Sequence, residues 1–152
     1  MIAIRPSFLK RASLCALAAC LLAGPALSAG TAEPTPEQIE DYEKVDDPQR
    51  VKLLIHLTRT GRQDLADTLL SRYPLQGKHA ANRTLFIQGM ILKADGDLTG
   101  AAKKFRSALA DDPKLTLVRA ELAKTLVELK QDDSATHHLR LLAADAPTEQ
   151  DA

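Results

Sequence analysis

From Val51 onward, apolar residues recur at the three- and four-residue spacing of amphipathic helices, and no stretch alternates as a strand does. Turn residues interrupt this pattern at intervals. They are Gly61, Pro74, Gly77, Gly96, Pro113 and Pro147. The pattern therefore predicts an all-α domain of several helices joined by short turns.

Three segments of the chain are similar to one another, and they begin at Gly61, Gly96 and Gln131. Their first shared feature is a small residue followed four positions later by a large apolar one. Aligning the small residues gives separations of 35 and 34 residues. The aligned residues are Ala66, Ala101 and Ala135. A repeating unit of about 34 residues follows from this spacing.

Paired helices with this period resemble the tetratricopeptide repeat (TPR). In the middle copy, Gly89 and Ala101 stand at the small positions where two helices approach, and Phe105 stands at the large position. One hairpin cannot bury both of its faces, so the resemblance implies a short α-solenoid of about three hairpins. The predicted repeat-packing residues are Gly89, Ala101, Phe105, Ala108, Ala123, Ala135 and Leu139.

The positions of the glycine and proline turn residues predict a TPR domain at residues 47–147 and a tail at 148–152. Asn82 is the predicted cap of the second hairpin, and Asp97 is a predicted helix cap. The proline-rich, acidic segment 30–46 predicts a flexible leader, within which Pro36 with Glu37 favours a short helix through Tyr42. The predicted repeats lie at about 47–80, 82–115 and 116–149.

The first 29 residues predict a secretory signal peptide. Arg5, Lys10 and Arg11 precede an apolar run at 12–23, and small residues then lead to a cleavage site after Ser28 or Ala29. The run is shorter than the roughly 20 residues that span a bilayer. The sequence therefore predicts export.

Both cysteines, Cys15 and Cys20, lie in this segment. The mature chain would then have no disulfide, thiol nucleophile or thiolate metal site. A second interpretation stays open, because the letters "LAAC" that end at Cys20 resemble a bacterial lipobox. Membrane association is predicted only if Cys20 is lipidated.

Charge and residue types narrow the function further. The chain has 20 basic and 20 acidic residues, a balance that predicts no nucleic-acid partner. His137 and His138 are adjacent, so on a helix they point about 100° apart and do not share a metal readily. No metalloprotease, nucleophile-elbow or phosphate-loop motif occurs. We predict no catalytic residue, metal site or cofactor.

The first helix of each predicted hairpin lines the concave face of a helical solenoid. The repeat alignment places there an apolar strip with basic residues beside it, which favours the binding of a polypeptide segment. For each of these residues, membership of the hairpin core stays open as the alternative. The predicted groove residues are Val51, Ile55, Arg59, Arg83, Phe86, Met90, Lys93, Leu117, Ala120, Lys124 and Val127.

The C-terminal third also looks like the periplasmic TPR region of surface lipoprotein assembly modifiers, and it resembles that repeat region alone, without the β-barrel into which the family continues. The residues that carry this resemblance are Pro113, Val118, Arg119, Glu121, Leu122, Ala123, Ala135, His138 and Leu139. It implies a role in handling an exported protein near the outer membrane of a Gram-negative bacterium.

We therefore predict a periplasmic interaction module rather than an enzyme. Its predicted partner is an exported or outer-membrane polypeptide, whose secretion or assembly it assists. The alternative is a lipid-anchored scaffold that links outer-membrane assemblies. The sequence predicts no further polar-faced helix over the outer face of the last hairpin, where Leu141 and Leu142 lie. Three alternatives stay open: this face is partly uncovered, the tail folds back over it, or self-association covers it.

Overall fold

The structure is a computed structural model that describes residues 33–144. The predicted signal peptide with Cys20, and the tail at 148–152, lie outside the described residues. Within them the chain forms seven helices and no strand, which confirms the all-α prediction. The helices are α1 (Pro36–Lys44), α2 (Asp47–Arg59), α3 (Gln63–Arg72), α4 (Ala80–Ala94), α5 (Leu98–Asp111), α6 (Thr116–Glu128) and α7 (Asp132–Ala144).

Three helical hairpins stack in chain order. Helix α2 pairs with α3, α4 with α5, and α6 with α7. The first and second hairpins join through α2–α4 and α3–α4 contacts, and the second and third join through α5–α6 contacts. This arrangement is the solenoid that the repeat period predicted, and it sets α2, α4 and α6 as the first helices of the three hairpins. Among residues 33–144, no helix has the length and apolarity that a bilayer crossing requires.

The turn inside each hairpin has the same geometry. Its central residue, which is Gly61, Gly96 or Lys130, adopts a left-handed conformation with φ of 78°, 87° and 58°. In each case the next residue donates its backbone N–H to the carbonyl five positions earlier, at 2.9 Å. This bond satisfies a carbonyl that the helix end leaves unpaired. The turns therefore repeat with the same period as the helices.

Lys130 is the one strained turn residue of these three, because a left-handed conformation brings a Cβ atom close to the following carbonyl. We expect Lys130→Gly to raise the free energy of unfolding by about 1 kcal/mol, measured by urea denaturation. Lys130→Ala keeps the Cβ atom and should give no such gain. An equal gain from both variants would assign the effect to the lysine side chain instead.

Small residues allow the helices of the second hairpin to approach closely. A methyl group on Gly89 would lie 2.4 Å from the Cε1 atom of Phe105, a separation that side chains do not adopt. Phe105 is fully buried against this glycine. Four alanines at the other predicted packing positions are buried as well: Ala101, Ala108, Ala123 and Ala135. Their small volume is what lets the backbones of paired helices come together.

Leu139 does not pack as predicted. It is 51% exposed, whereas Phe105 at the equivalent position is fully buried. The reason is that α6 covers the outer face of α5, while within residues 33–144 no helix covers the outer face of α7. Leu141 on the same helix is exposed too.

The short helix predicted to begin at Pro36 is α1 (Pro36–Lys44), so the second part of the segment 30–46 is helical. The helix begins with a capping box. The backbone N–H of Gln38 donates to the Thr35 hydroxyl at 3.3 Å, and the Gln38 side chain accepts from the Thr35 backbone N–H at 2.9 Å. These two bonds satisfy donors that a helix start leaves unpaired, so the proline-rich segment folds.

Helix α1 is anchored by Tyr42, which is fully buried. Its hydroxyl donates to the Tyr73 carbonyl at 3.4 Å, and Arg50 lies over its ring at 5.1 Å while donating to the Tyr42 carbonyl at 3.0 Å. Burial raises the pKa of Tyr42 to about 12. The outward residues of α1, such as Glu37 and Glu40, are exposed. The helix therefore packs on the first hairpin through Tyr42 and turns a polar surface outward.

The predicted helix caps were right in one case and wrong in the other. Asp97 precedes α5 and accepts from the backbone N–H of Gly100 at 2.8 Å. Asn82 lies inside α4, which begins two residues earlier at Ala80. This helix starts directly after the turn at Gly77 and needs no side-chain cap at Asn82.

Candidate functional site: the groove of the first helices

The surface shared by α2, α4 and α6 contains two hollows that eight of the eleven predicted groove residues line. The first, the apolar hollow, includes Val51, Arg83, Phe86 and Leu117. The second, the charged hollow, includes Arg59, Met90, Lys93 and Lys124. Three predicted groove residues line neither: Ile55, Ala120 and Val127. Residues from all three helices thus meet on one face, although they are distant in sequence.

The apolar hollow has a volume of about 440 Å³ and an apolar floor. Val51 comes from α2, Phe86 from α4, and Leu117 and Val118 from α6. Leu117 is 52% exposed, which leaves it free to contact a ligand. An apolar ligand group that covers it would gain roughly 25 cal/mol for each Å² removed from water.

The rim of the apolar hollow is polar. His79, Asn82 and Arg83 come from the start of α4, and Asp112 and Lys114 come from the loop before α6. Asp112 accepts the backbone N–H of Lys114 at 3.0 Å, so its carboxylate is already engaged. Within residues 33–144, the side chains of Arg83 and Lys114 form no ion pair. Two cations therefore stand beside an apolar floor.

The charged hollow surrounds a buried carboxylate, that of Glu121 on α6, whose side chain is only 6% exposed. Lys124 Nζ lies 3.0 Å from Glu121 Oε1, and Arg59 Nη2 lies 3.7 Å from the same oxygen. Lys93 Nζ lies 3.7 Å from Glu121 Oε2 and 2.9 Å from Glu128 Oε1. Glu121 thus connects cations from α2, α4 and α6, and it fixes the charged end of the groove.

Phe86 and Met90 are largely buried, so they belong to the hairpin core as much as to the groove. The Phe86 ring lies 6.0 Å from that of Phe105 at a tilt of 43°, a favourable aromatic arrangement. Replacing Phe86 or Met90 would therefore disturb folding together with any binding. Leu117 and Val127 are the predicted apolar residues that remain more than half exposed.

Sequence reasoning missed Glu121 as a member of the groove. The alignment that pairs Ala123 with Gly89 also pairs Glu121 with Ile87, which is fully buried and apolar. A carboxylate at a position that is apolar in the preceding repeat needs paired charges when it is buried. This difference between the repeats was the sequence signal that could have identified Glu121 as part of the groove.

The histidines do not form a metal site. Among the described residues, no group of three or more His, Cys, Asp and Glu side chains is arranged to hold a metal ion. His137 is exposed, but His138 is partly buried, and its Nδ1 atom has no hydrogen-bond partner. Burial, followed by the charges of His137 and Arg119, lowers the pKa of His138. At neutral pH this favours its uncharged form.

Glu121→Gln tests how far the buried carboxylate organises the groove. We expect the free energy of unfolding to fall by about 2 kcal/mol, less than the roughly 3–5 kcal/mol for breaking a fully buried pair, because Arg59 and Lys124 stay hydrated. Urea denaturation measures the loss, and 1 M salt should reduce it by screening the repulsion among the remaining cations. Glu128→Gln is the control and should cost less than about 1 kcal/mol.

Stacked two-helix repeats with a groove along their first helices define a protein of the tetratricopeptide-repeat class. The family described as "Surface lipoprotein assembly modifier, N-terminal TPR repeats" matches residues 38–139. The chain belongs to this family, and the resemblance seen in its sequence is confirmed. No curated protein and no solved structure matches the chain.

Proposed function

We propose that this chain is an exported interaction module that binds a polypeptide partner in the groove of α2, α4 and α6. In this proposal it works in the periplasm of a Gram-negative bacterium and assists the secretion or assembly of an outer-membrane or surface protein. Helical-repeat grooves recognise extended or helical segments through apolar anchors and polar neighbours. The family name, which refers to surface lipoprotein assembly, supports this choice of partner.

One observation carries the proposal: a half-exposed leucine, Leu117, beside an apolar hollow with a volume of about 440 Å³. Leaving Leu117 in water beside an open apolar hollow does not stabilise the chain itself. An apolar side chain of a bound partner would remove both Leu117 and the hollow from water. Residues of all three hairpins line this hollow, so a single bound segment would contact all three.

Leu117→Ser tests this function, and Leu139→Ser on α7 is a matched control because its exposure, 51%, is nearly that of Leu117. Each tagged variant is expressed with its signal peptide and purified from the periplasm, and the co-purifying proteins are identified. We expect an exported or outer-membrane protein to accompany the wild type and Leu139→Ser but not Leu117→Ser. Capture that survives Leu117→Ser, or that both variants lose equally, would contradict binding in the groove.

A lipid-anchored scaffold is the second candidate, and the letters "LAAC" that end at Cys20 favour it. Mass spectrometry of the mature N-terminus separates the two candidates. A diacylated Cys20 would support the anchored scaffold, whereas a start at Ala29 or Gly30 would support the unanchored module.

A further inference from the structure

The groove carries an excess of positive charge, although the whole chain is formally neutral. Five Lys and Arg side chains line the two hollows, against two carboxylates. The cations are Arg59, Arg83, Lys93, Lys114 and Lys124, and the carboxylates are Asp112 and Glu121. Positive charge is therefore concentrated in these two hollows.

The charged hollow cannot neutralise this excess from its own residues. Glu121 is shared by three cations, and only Lys124 lies within hydrogen-bond distance of it. Lys93 finds a second partner in Glu128, at 2.9 Å. Arg59 has no such partner within residues 33–144, and its side chain is 57% exposed. Its guanidinium donors are therefore available to an acceptor from outside the chain.

Lys124 complements Arg59 at the same place. Its side chain is 62% exposed, and its ammonium group has three donors, of which Glu121 engages one. A carboxylate that enters the hollow would meet both cations above the buried Glu121. Glu121 thereby acts as a positioning residue, because it holds the two flexible side chains over one point.

We propose that the groove selects an acidic polypeptide segment with at least one large apolar side chain. The apolar side chain occupies the apolar hollow against Leu117, and a carboxylate of the same segment binds Arg59 and Lys124. This inference rests on the proposed function and specifies the chemistry of the partner. A nucleic acid fits less well, because such binding depends on many phosphate contacts and the groove offers an apolar floor with only a few surplus charges.

The test uses four fluorescein-labelled peptides of twelve residues, each with three copies of Gly-Ser-X-Z, bound to the mature chain and followed by fluorescence anisotropy. X–Z is Leu-Glu, Leu-Gln, Leu-Lys or Ser-Glu. We expect Leu-Glu to bind at least fivefold more tightly than Leu-Gln or Ser-Glu, and Leu-Lys to bind most weakly, since two or three exposed charge pairs give a difference of this order. Raising the salt from 50 to 500 mM should remove the preference of Leu-Glu over Leu-Gln.

A matched pair of protein variants locates the effect. Arg59→Gln with Lys124→Gln removes two exposed cations from the groove, and Lys103→Gln with Arg140→Gln removes two exposed cations from α5 and α7. Both change the net charge equally. The groove variant should lose most of the preference for Leu-Glu over Leu-Gln, since only the cations Arg83, Lys93 and Lys114 remain in the groove, while the control should keep the whole preference.

Each other outcome overturns the inference. These outcomes are equal affinity for Leu-Glu and Leu-Gln, an equal effect of both variant pairs, no measurable binding of Leu-Glu, and tighter binding of a labelled twelve-nucleotide oligo-dT than of Leu-Glu. The capture experiment with Leu117→Ser distinguishes this failure from failure of the proposed function. Partner capture that depends on Leu117 but survives Arg59→Gln with Lys124→Gln would leave the groove as the binding site and reject only its preference for acidic segments.

Discussion

Phe105→Ala is expected to lower the free energy of unfolding by about 4 kcal/mol, a large fraction of the stability of a domain of this size. The side chain is fully buried between α4 and its own helix, its ring lies 6.0 Å from that of Phe86, and it packs directly on Gly89. Removing it leaves a cavity between the two helices of the second hairpin. Urea denaturation followed by circular dichroism measures the loss.

A double-mutant cycle checks that contact with Gly89 is the reason. Gly89→Ala alone should cost about 1–3 kcal/mol, because the new methyl group meets the Phe105 ring. In the Phe105→Ala background the ring is absent, so the same methyl group should cost much less or fill part of the cavity. Additive losses would show that the two positions act independently, against direct packing of the ring on the glycine.

Tyr42→Ala is expected to cost about 3 kcal/mol and to release α1 from the first hairpin. The side chain is fully buried, and both its hydroxyl and its carbonyl are bonded to residues beyond α1. Hydrogen exchange should show lost protection in residues 36–44 before the remaining helices change. Unchanged protection there would mean that other contacts hold α1 in place.

Tyr42→Phe is the control, because it keeps the ring over which Arg50 lies and removes only the hydroxyl. It should cost no more than about 1 kcal/mol. The wild type and Tyr42→Phe should also differ in how their free energy of unfolding depends on pH in alkaline solution. The pKa of Tyr42 is raised to about 12 in the folded chain, so wild-type stability falls as the pH rises above 10, by about 1 kcal/mol between pH 10 and 11, and this contribution is absent in Tyr42→Phe.

The fold was predictable because its physical requirements repeat along the sequence. Close helix pairs need small residues such as Gly89 and Ala101 at fixed positions, and stacking needs a large residue such as Phe105 four positions later. These requirements recur with a period near 34, whereas a bundle without repeats would show no such spacing. Lys130 shows the limit of this reasoning. It adopts the same left-handed turn conformation as Gly96, but a lysine in the sequence does not indicate such a turn as a glycine does.

The groove was only partly predictable. Sequence spacing places Phe86 and Leu117 on the inner face of their helices, but it does not tell how deeply the neighbouring helix covers each one. The structure buries Phe86 and leaves Leu117 half exposed. The charge arrangement was less accessible still, because Arg59 and Glu121 are 62 positions apart and meet only when the hairpins stack.

Local chemistry was a better guide to α1 than average composition. Prolines and acidic residues are typical of flexible segments, yet Pro36 is favourable at a helix start and Thr35 with Gln38 forms a capping box. The sequence predicted a short helix from Pro36, but it did not predict the capping box or the burial of Tyr42, which depends on contacts with residues distant in sequence.

The two ends of the solenoid differ, and this makes it directional. Helix α1 shows acidic side chains outward, whereas α7 presents Leu139 and Leu141 to the solvent. An engineered copy of the second hairpin, fused after Ala144, could pack against the exposed Leu139 and Leu141 and would lengthen the stack by one hairpin. The same copy fused directly ahead of α1 would meet the exposed carboxylates of Glu37 and Glu40 instead, so the described residues favour extension after α7.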